Sequence, residues 1–212
     1  MHIPFYEGLG TRSCFLSGAA LKTEILPVTP GVRLVPVSIT DVDALVALVS
    51  ENRAYLAAFM PKVVTLDSLD SAQQYLLSVV DSNGKGELLE WHIFCGDTLC
   101  GAIRLNHIEI GNRNASIGYY IGSEHQGAGL ATSSVRAVLE YAYERLGFHR
   151  IELRCASGNL PSQRLAERLG FSWEGLLRQT ELIDDVYIDH FVYGLLRPDF
   201  EARAAVLMKE AA

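Results

Sequence analysis

The four cysteines of this 212-residue chain, Cys14, Cys95, Cys100 and Cys155, form no C-x-x-C pair, and no histidine cluster accompanies them. That scatter argues against a metal centre and a disulfide framework. It reads as reduced, mostly buried thiols of a cytoplasmic protein, with a Cys–His nucleophile as the minor reading. Positive charge is short: 18 Lys and Arg against 25 Asp and Glu leave a net charge of −7. Nucleic-acid binding is disfavoured and a cationic partner mildly favoured. No apolar run approaches the roughly 18 residues of a membrane helix, and no basic segment followed by an apolar core opens the chain. Neither a membrane span nor a secretory signal is therefore expected. Repeats and low-complexity tracts are absent too. What remains is an ordinary globular mix, 49% apolar and 20% charged, long enough to bury a full core.

Residues 1–30 show no clean periodicity and read as an N-terminal extension, 31–200 as one domain and 201–212 as a C-terminal tail. Val32–Val37 alternates like an edge strand. Thr40 is the expected cap of a helix with Val42, Leu45, Val46 and Val49 on one face. A short helical piece carries Tyr55, Leu56, Phe59 and Met60 and stops at Pro61. A third helix spans about 69–81, ended by Asp81-Ser-Asn-Gly. Trp91–Cys95, Leu99–His107 and Ala115–Gly122 read as antiparallel strands joined by short turns at Gly96-Asp97 and Gly111-Asn112. Gly127–Leu146 keeps helical spacing, Ile151–Cys155 is a strand, and Asn159 caps a short helix closed by Gly170. Trp173–Leu182 and Tyr187–Leu196 close the order around a turn at Asp184-Asp185. The pattern is α/β on one sheet.

The stretch His125-Gln-Gly-Ala-Gly-Leu-Ala-Thr132 enters the long helix with almost no side chains. A helix N-terminus leaves about four N–H groups unpaired and carries roughly half a positive charge, so bare Gly and Ala there let a phosphate approach. A P-loop is excluded, since no Gly-Lys-Ser/Thr follows. A dinucleotide fingerprint is superficially close, but the glycines follow an antiparallel meander rather than opening a βαβ unit. A plain strand-to-helix connector is the other reading.

Gln126-Gly-Ala-Gly129-Leu-Ala131 resembles the Gln/Arg-x-x-Gly-x-Gly/Ala signature of the GNAT superfamily of N-acetyltransferases. Ile117-Gly-Tyr-Tyr-Ile-Gly122 resembles its central strand. Asn159-Leu-Pro-Ser162, running into Ala166-Glu-Arg-Leu-Gly-Phe171, resembles its next motif. With Asn52-x-x-x-Leu56 and Met60-Pro61, the order is similar to the RimJ/RimL-like branch that acetylates N-termini of ribosomal proteins. The resemblance spans about 31–198. It implies a GNAT fold: a mixed, mostly antiparallel sheet of six to seven strands flanked by helices, with strands 115–122 and 151–155 splayed to hold acetyl-CoA.

The same resemblance implies the contacts. Gln126, Gly127, Ala128, Gly129, Leu130, Ala131 and Thr132 would hold the pyrophosphate. Tyr119, Tyr120 and Ile121 would line the pantetheine arm, and Asn159 would bind one of its amides. Many superfamily members place a thiolate-serving Tyr where this chain has Ala166. The branch offers Ser162 instead, at a helix N-terminus, and a carboxylate at Glu181 as the base acting through water. Arg136, Arg164 and Arg168 are candidates for the coenzyme's phosphates, or an ordinary solvated helix face. Of His107, His125, His149 and His190, only His125 adjoins the loop, and no pair has metal-ligand spacing. The implied acceptor is an amine, a protein N-terminus or a small molecule, and a homodimer is plausible. A silent acyl-CoA-binding module and a different nucleotide-binding protein remain alternatives.

Overall fold

The computed structural model describes residues 21–210. The strands are β1 (Leu26–Thr29), β2 (Val32–Pro36), β3 (Leu89–Cys95), β4 (Thr98–Glu109), β5 (Asn114–Ile121), β6 (Arg150–Ala156), β7 (Ser172–Ile183) and β8 (Val186–Leu196). The helices are α1 (Val42–Glu51), α2 (Arg53–Ala57), α3 (Leu69–Lys85), α4 (Leu130–Glu140), α5 (Leu160–Leu169) and α6 (Arg197–Glu210). One sheet runs in the order β1-β2-β3-β4-β5-β6-β8-β7. Among these strands only β5 and β6 pair in parallel.

The mixed, mostly antiparallel sheet is the expected one, with a correction: it has eight strands, not six to seven. The additional strand is β1, inside the stretch read as an extension. Pro30-Gly31 turns the chain, with Gly31 at φ +81, and sets Leu26 opposite Leu34. Pro27 and Pro30 hide this strand from a propensity reading, and the sheet edge is where prolines are tolerated. Leu21 and Leu26 are buried in one core with Leu34 and Trp91. Residues 1–20 lie outside the described residues. At the other end, α6 runs from Arg197 into the expected tail, and Phe200 stacks on Tyr143 at 5.1 Å.

Alternation along the strands builds two cores, one on each face of the sheet. Trp91, Ile93, Ile103, Leu105, Ile117 and Ile121 face α4 and α5, meeting Val135, Val138, Leu139, Leu165 and Leu169. Leu99, Ala102 and Tyr120 face α1 and α3, meeting Leu45, Leu48, Val49, Leu76 and Val79. Each such fully buried aliphatic side chain contributes about 1.5–3 kcal/mol.

Several boundaries differ from expectation for local reasons. Ser38, not Thr40, caps the first helical turn: its side chain accepts from the Thr40 N–H, and Asp41 reaches back to the Ser38 N–H at 3.2 Å. α3 runs through Asp81-Ser-Asn-Gly to Lys85 and ends at Gly86, which takes φ +71. The Asn83 side chain is turned inward to the backbone of Glu90, accepting from its N–H at 2.9 Å and donating to its carbonyl at 3.3 Å. An amide so engaged does not form a turn. α4 begins at Leu130, three residues after Gly127, and passes into one π-helical turn over Tyr141–Arg145. Asp184 and Asp185 both adopt positive φ, +46 and +62, as the two-residue hairpin between β7 and β8 requires.

Candidate active site

β5 and β6 run side by side and then part. Their pairing goes from Asn114↔Arg150 to Ile117↔Leu153 and stops, although β5 continues to Ile121 and β6 to Ala156. Past that point β5 stays bonded to β4, and β6 to β8. Gly118–Ile121 and Arg154–Cys155 therefore have no partner strand across the gap, which leaves room for a ligand's own donors and acceptors.

The loop above this gap is held by Asn52, which is buried at the end of α1. Its Oδ1 accepts from the Ser123 N–H at 2.6 Å and the Ser123 hydroxyl at 2.8 Å, and its Nδ2 donates to the Leu48 carbonyl at 2.9 Å. Gly127 and Gly129 follow, each at φ +79, with open space where a Cβ would stand. Glycine adopts that backbone freely. No side chain caps α4, so its first-turn N–H groups keep their partial positive charge and remain open to an anion.

Loop and gap share a cavity of about 440 Å³. Its lining includes Tyr119, Tyr120 and Ile121 of β5; Gln126, Gly127 and Gly129 of the loop; Leu130, Ala131 and Thr132 of α4; and Asn159, Ser162 and Arg164 at the start of α5. Ala128, also expected here, is exposed and does not line it. Tyr55, Leu56, Phe59 and Met60 around α2 complete the walls, with His125 and Arg168. The sequence showed Tyr55 and Phe59 only as helical periodicity, and Leu56 and Met60 also in the Asn52-x-x-x-Leu56 and Met60-Pro61 resemblance, with no role as a cavity wall attached. Arg168 donates to the Thr132 hydroxyl at 3.1 Å and so brings a cation to the head of α4. Arg136 is not in this cavity's lining; it lines an adjoining depression with Gly129, Thr132 and Arg168.

Ser162 is buried in the first turn of α5. The Asn159 side chain accepts from its N–H at 3.2 Å, the cap expected from sequence, and the Tyr119 hydroxyl donates to its Oγ at 3.2 Å. Burial pushes the Tyr119 phenol up to about 12, so it is a neutral donor at pH 7. Burial likewise pushes the nearby Cys155 thiol up. Glu181, expected as base, is not among the cavity's lining residues; its Oε2 lies 2.9 Å from His190 Nε2. His190 alternates with Phe191, whose side chain belongs to the α4-side core, so His190 points to the α1–α3 face. Trp173, at the start of β7, is 60% exposed.

A second cavity of about 250 Å³ opens on that α1–α3 face and shares Met60, Tyr119 and Tyr120 with the first. Glu90 and Tyr75 are in its wall, and the sequence reading named neither as functional. The available signal was a lone carboxylate inside the apolar run Leu88-Leu-Glu-Trp-His-Ile-Phe94.

A splayed strand pair beneath an uncapped, glycine-led helix is the frame of an acyl-CoA-dependent N-acetyltransferase. Residues 32–172 match the family model for the acetyltransferase (GNAT) domain, and the chain belongs to that family. It is 34% identical over 170 residues to the probable N-acetyltransferase YjcK of Bacillus subtilis, covering 78% of this chain and 94% of that protein. It is 29% identical over 172 residues to the ribosomal-protein-serine acetyltransferase of Escherichia coli, covering 81% and 96%. Among solved structures it superposes with TM-score 0.78 on RimL, a ribosomal L7/L12 alpha-N-protein acetyltransferase in complex with coenzyme A. There the identity is 28%, and 82% of this chain and 98% of that one are covered.

Proposed function

We propose that the protein moves the acetyl group of acetyl-CoA to a primary amine, a protein N-terminus of the ribosomal-protein type, by direct attack with both substrates bound. The observation that carries this reading is the meeting of the uncapped head of α4, the β5–β6 gap and Ser162 in one cavity. The α4 amides, with Arg164 and Arg168, suit the coenzyme's diphosphate, and the unpaired backbone of Gly118–Ile121 suits the amides of the pantetheine arm. Relatives that act on ribosomal-protein amines support the choice of acceptor. A cytosolic location and a homodimer belong to the same proposal.

The thioester supplies an activated acetyl carbon. The acceptor nitrogen must shed one proton before it attacks; Glu181 takes that proton through water, and His190 keeps the carboxylate in position. The C–N bond forms and the C–S bond breaks; the nitrogen gives up its second proton as it becomes an amide, the sulfur leaves as a thiolate that takes up one proton, and until then the sulfur needs a hydrogen-bond donor. Ser162 meets that need: because its Oγ accepts from Tyr119, its own hydroxyl proton is free to turn toward the sulfur.

Thiol release tests the reading, measured with acetyl-CoA and a panel of N-terminal peptides and small amines. Thermal shift with acetyl-CoA, CoA, NAD and ATP runs alongside, since a ligand that binds only the native state raises the melting temperature. Stabilisation by NAD or ATP but not CoA overturns the cofactor assignment. Stabilisation by acetyl-CoA with no thiol release from any amine leaves a silent binding module. Release with polyamines or other small amines, and none with peptides, moves the acceptor to the small-molecule class.

A further inference from the structure

The Arg104 guanidinium is a planar fork of N–H donors. Among the described residues its ion-pair partner is Glu90, whose Oε2 lies 3.7 Å from Nη1, beyond hydrogen-bond range. Glu90 itself is fixed. The Tyr75 hydroxyl donates to its Oε1 at 2.7 Å, and the Asn83 amide holds both of its backbone groups, at 2.9 and 3.3 Å. The buried carboxylate thus draws the guanidinium toward it without taking up the donors.

The sheet aims those donors at the gap. Glu90, Arg104 and Gly118 form one cross-strand row, on the same face as Ala102 and Tyr120 and therefore toward α1 and α3. Gly118 is the first β5 residue past the last β5–β6 pair, so Arg104 stands one strand spacing, ~4.8 Å, from the gap's margin. A Cβ on Gly118 would meet Arg104 Nε at 3.9 Å; without one, nothing at that position covers the guanidinium. Lys62 is the second cation in the lining of this cavity. On the far bank His190 pairs with Ala156 of β6, and its partner Glu181 lies on the same face. The glycine loop and Ser162 belong to the opposite, α4–α5 face. Coenzyme and acceptor therefore reach the gap from opposite sides, the acceptor between Glu181 and Arg104.

We infer that Arg104 donates to the carbonyl oxygen on the carbon next to the acceptor's amine, so that the acceptor is an α-amino carbonyl compound, a peptide N-terminus, rather than a simple alkylamine. The inference rests on the acetyltransferase reading and adds the residue that selects the acceptor. In a peptide N-terminus that oxygen lies roughly 3 Å from the amine nitrogen by standard bond lengths, and an N–H···O bond spans about 2.9 Å more. A nitrogen over the gap and an oxygen under the guanidinium are thus one residue's reach apart. Arg104 holds the acceptor without drawing its nitrogen away from the thioester. An alkylamine offers this guanidinium no acceptor atom, and a polyamine sets a cation against it.

The test compares wild type, Arg104→Met and Arg104→Lys on two peptides. One is a serine-initiated tripeptide amide; the other is its alkene isostere, with CH=CH in place of the first CO–NH. The isostere lacks an N–H as well, but Arg104 has only donors and responds to the oxygen alone. Thiol release gives kcat/KM, and calorimetric titration of each peptide into the CoA-bound protein gives Kd without turnover. Wild type should favour the parent peptide over the isostere, and over n-butylamine, by about tenfold or more, the worth of a hydrogen bond from a charged group. In Arg104→Met the parent should fall to within about threefold of the isostere, while the isostere and acetyl-CoA affinity change less than that. Arg104→Lys should recover part of the preference, since it keeps the charge and loses the fork. Arg104→Met leaves Glu90 without its cation, so the double variant with Glu90→Gln repeats the comparison should the single one not fold. Equal loss on both peptides means a structural role and overturns the inference, as does a wild type indifferent to the missing carbonyl. No thiol release from the wild type with any amine overturns the acetyltransferase reading and this inference together.

Discussion

The Tyr119 hydroxyl donates to Ser162 Oγ at 3.2 Å, linking β5 to the first turn of α5 across the opening between β5 and β6. Two residues 43 positions apart are thereby joined at the cavity where sulfur would leave. The bond holds the Ser162 Oγ in place and leaves its own proton free to rotate. The N-terminus of α5 adds its partial positive charge to that spot.

Ser162→Ala should therefore lower kcat by about 10–100-fold, the equivalent of about 1.4–2.7 kcal/mol of transition-state stabilisation. Acetyl-CoA affinity should change by less than about threefold, because the proposed contacts to the coenzyme's diphosphate and arm come from other residues. Tyr119→Phe should show the same pattern at smaller size, since it loosens Ser162 without deleting the donor. Steady-state kinetics beside calorimetric acetyl-CoA titration check this. A rise in acetyl-CoA Kd with kcat intact would make Ser162 a binding residue instead.

Gly129 gives a test of the anion site that needs no turnover. It sits at φ +79, and a Cβ there would meet nothing within 4 Å. A loss of affinity in Gly129→Val then has a backbone origin: a β-branched residue avoids positive φ and pulls the loop amides out of line, at a cost of about 1–3 kcal/mol. CoA binding should weaken roughly tenfold or more, and Gly129→Ala should lose less. Equal CoA affinity in both variants and wild type would remove the loop from the cofactor site.

The parts of this architecture legible in the sequence were those carried by local signals. Gly127 and Gly129, the Asn159 cap, the Gly96-Asp97 turn and the Asp184-Asp185 hairpin each announce a backbone geometry that a few neighbouring residues decide. β1 was missed because Pro27 and Pro30 spoil its strand signal and its partner, β2, supplies the ladder instead. The end of α3 was misjudged because Asn83 finds its partner seven residues away, on Glu90, and not in a turn. Glu90 itself was illegible: one Glu in an apolar run does not say whether it meets water or a closed cavity. That depends on Tyr75 and Arg104, which arrive from separate elements. Glu181 was visible by resemblance, but its bond to His190 depends on the register between β7 and β8.

Half-buried Asp41 and buried Glu90 should give the protein opposite responses to pH. Burial raises the Asp41 carboxyl, but His92, the Ser38 N–H and Thr40 outweigh it and hold the group below its usual range. A lowered acid stabilises the fold above its unfolded pKa, about 3.9, and that stability is lost as pH falls through the folded value. Glu90 is raised by burial, against Arg104, Tyr75 and His92. Its cost is absent below the unfolded pKa, about 4.3, and grows as pH rises toward the folded value. Glu90→Gln should accordingly raise the melting temperature at pH 7 and leave it nearly unchanged below pH ~4, whereas Asp41→Asn should lower it at pH 7. For a chain of this length a change of about 1 kcal/mol appears as roughly 2–4 °C, within reach of differential scanning calorimetry across pH. A Glu90→Gln protein more stable than wild type at pH 7 would mark a carboxylate whose burial costs the fold. A variant less stable at pH 7 would mean that the Tyr75 and Arg104 contacts outweigh the burial, and that Glu90 is structural.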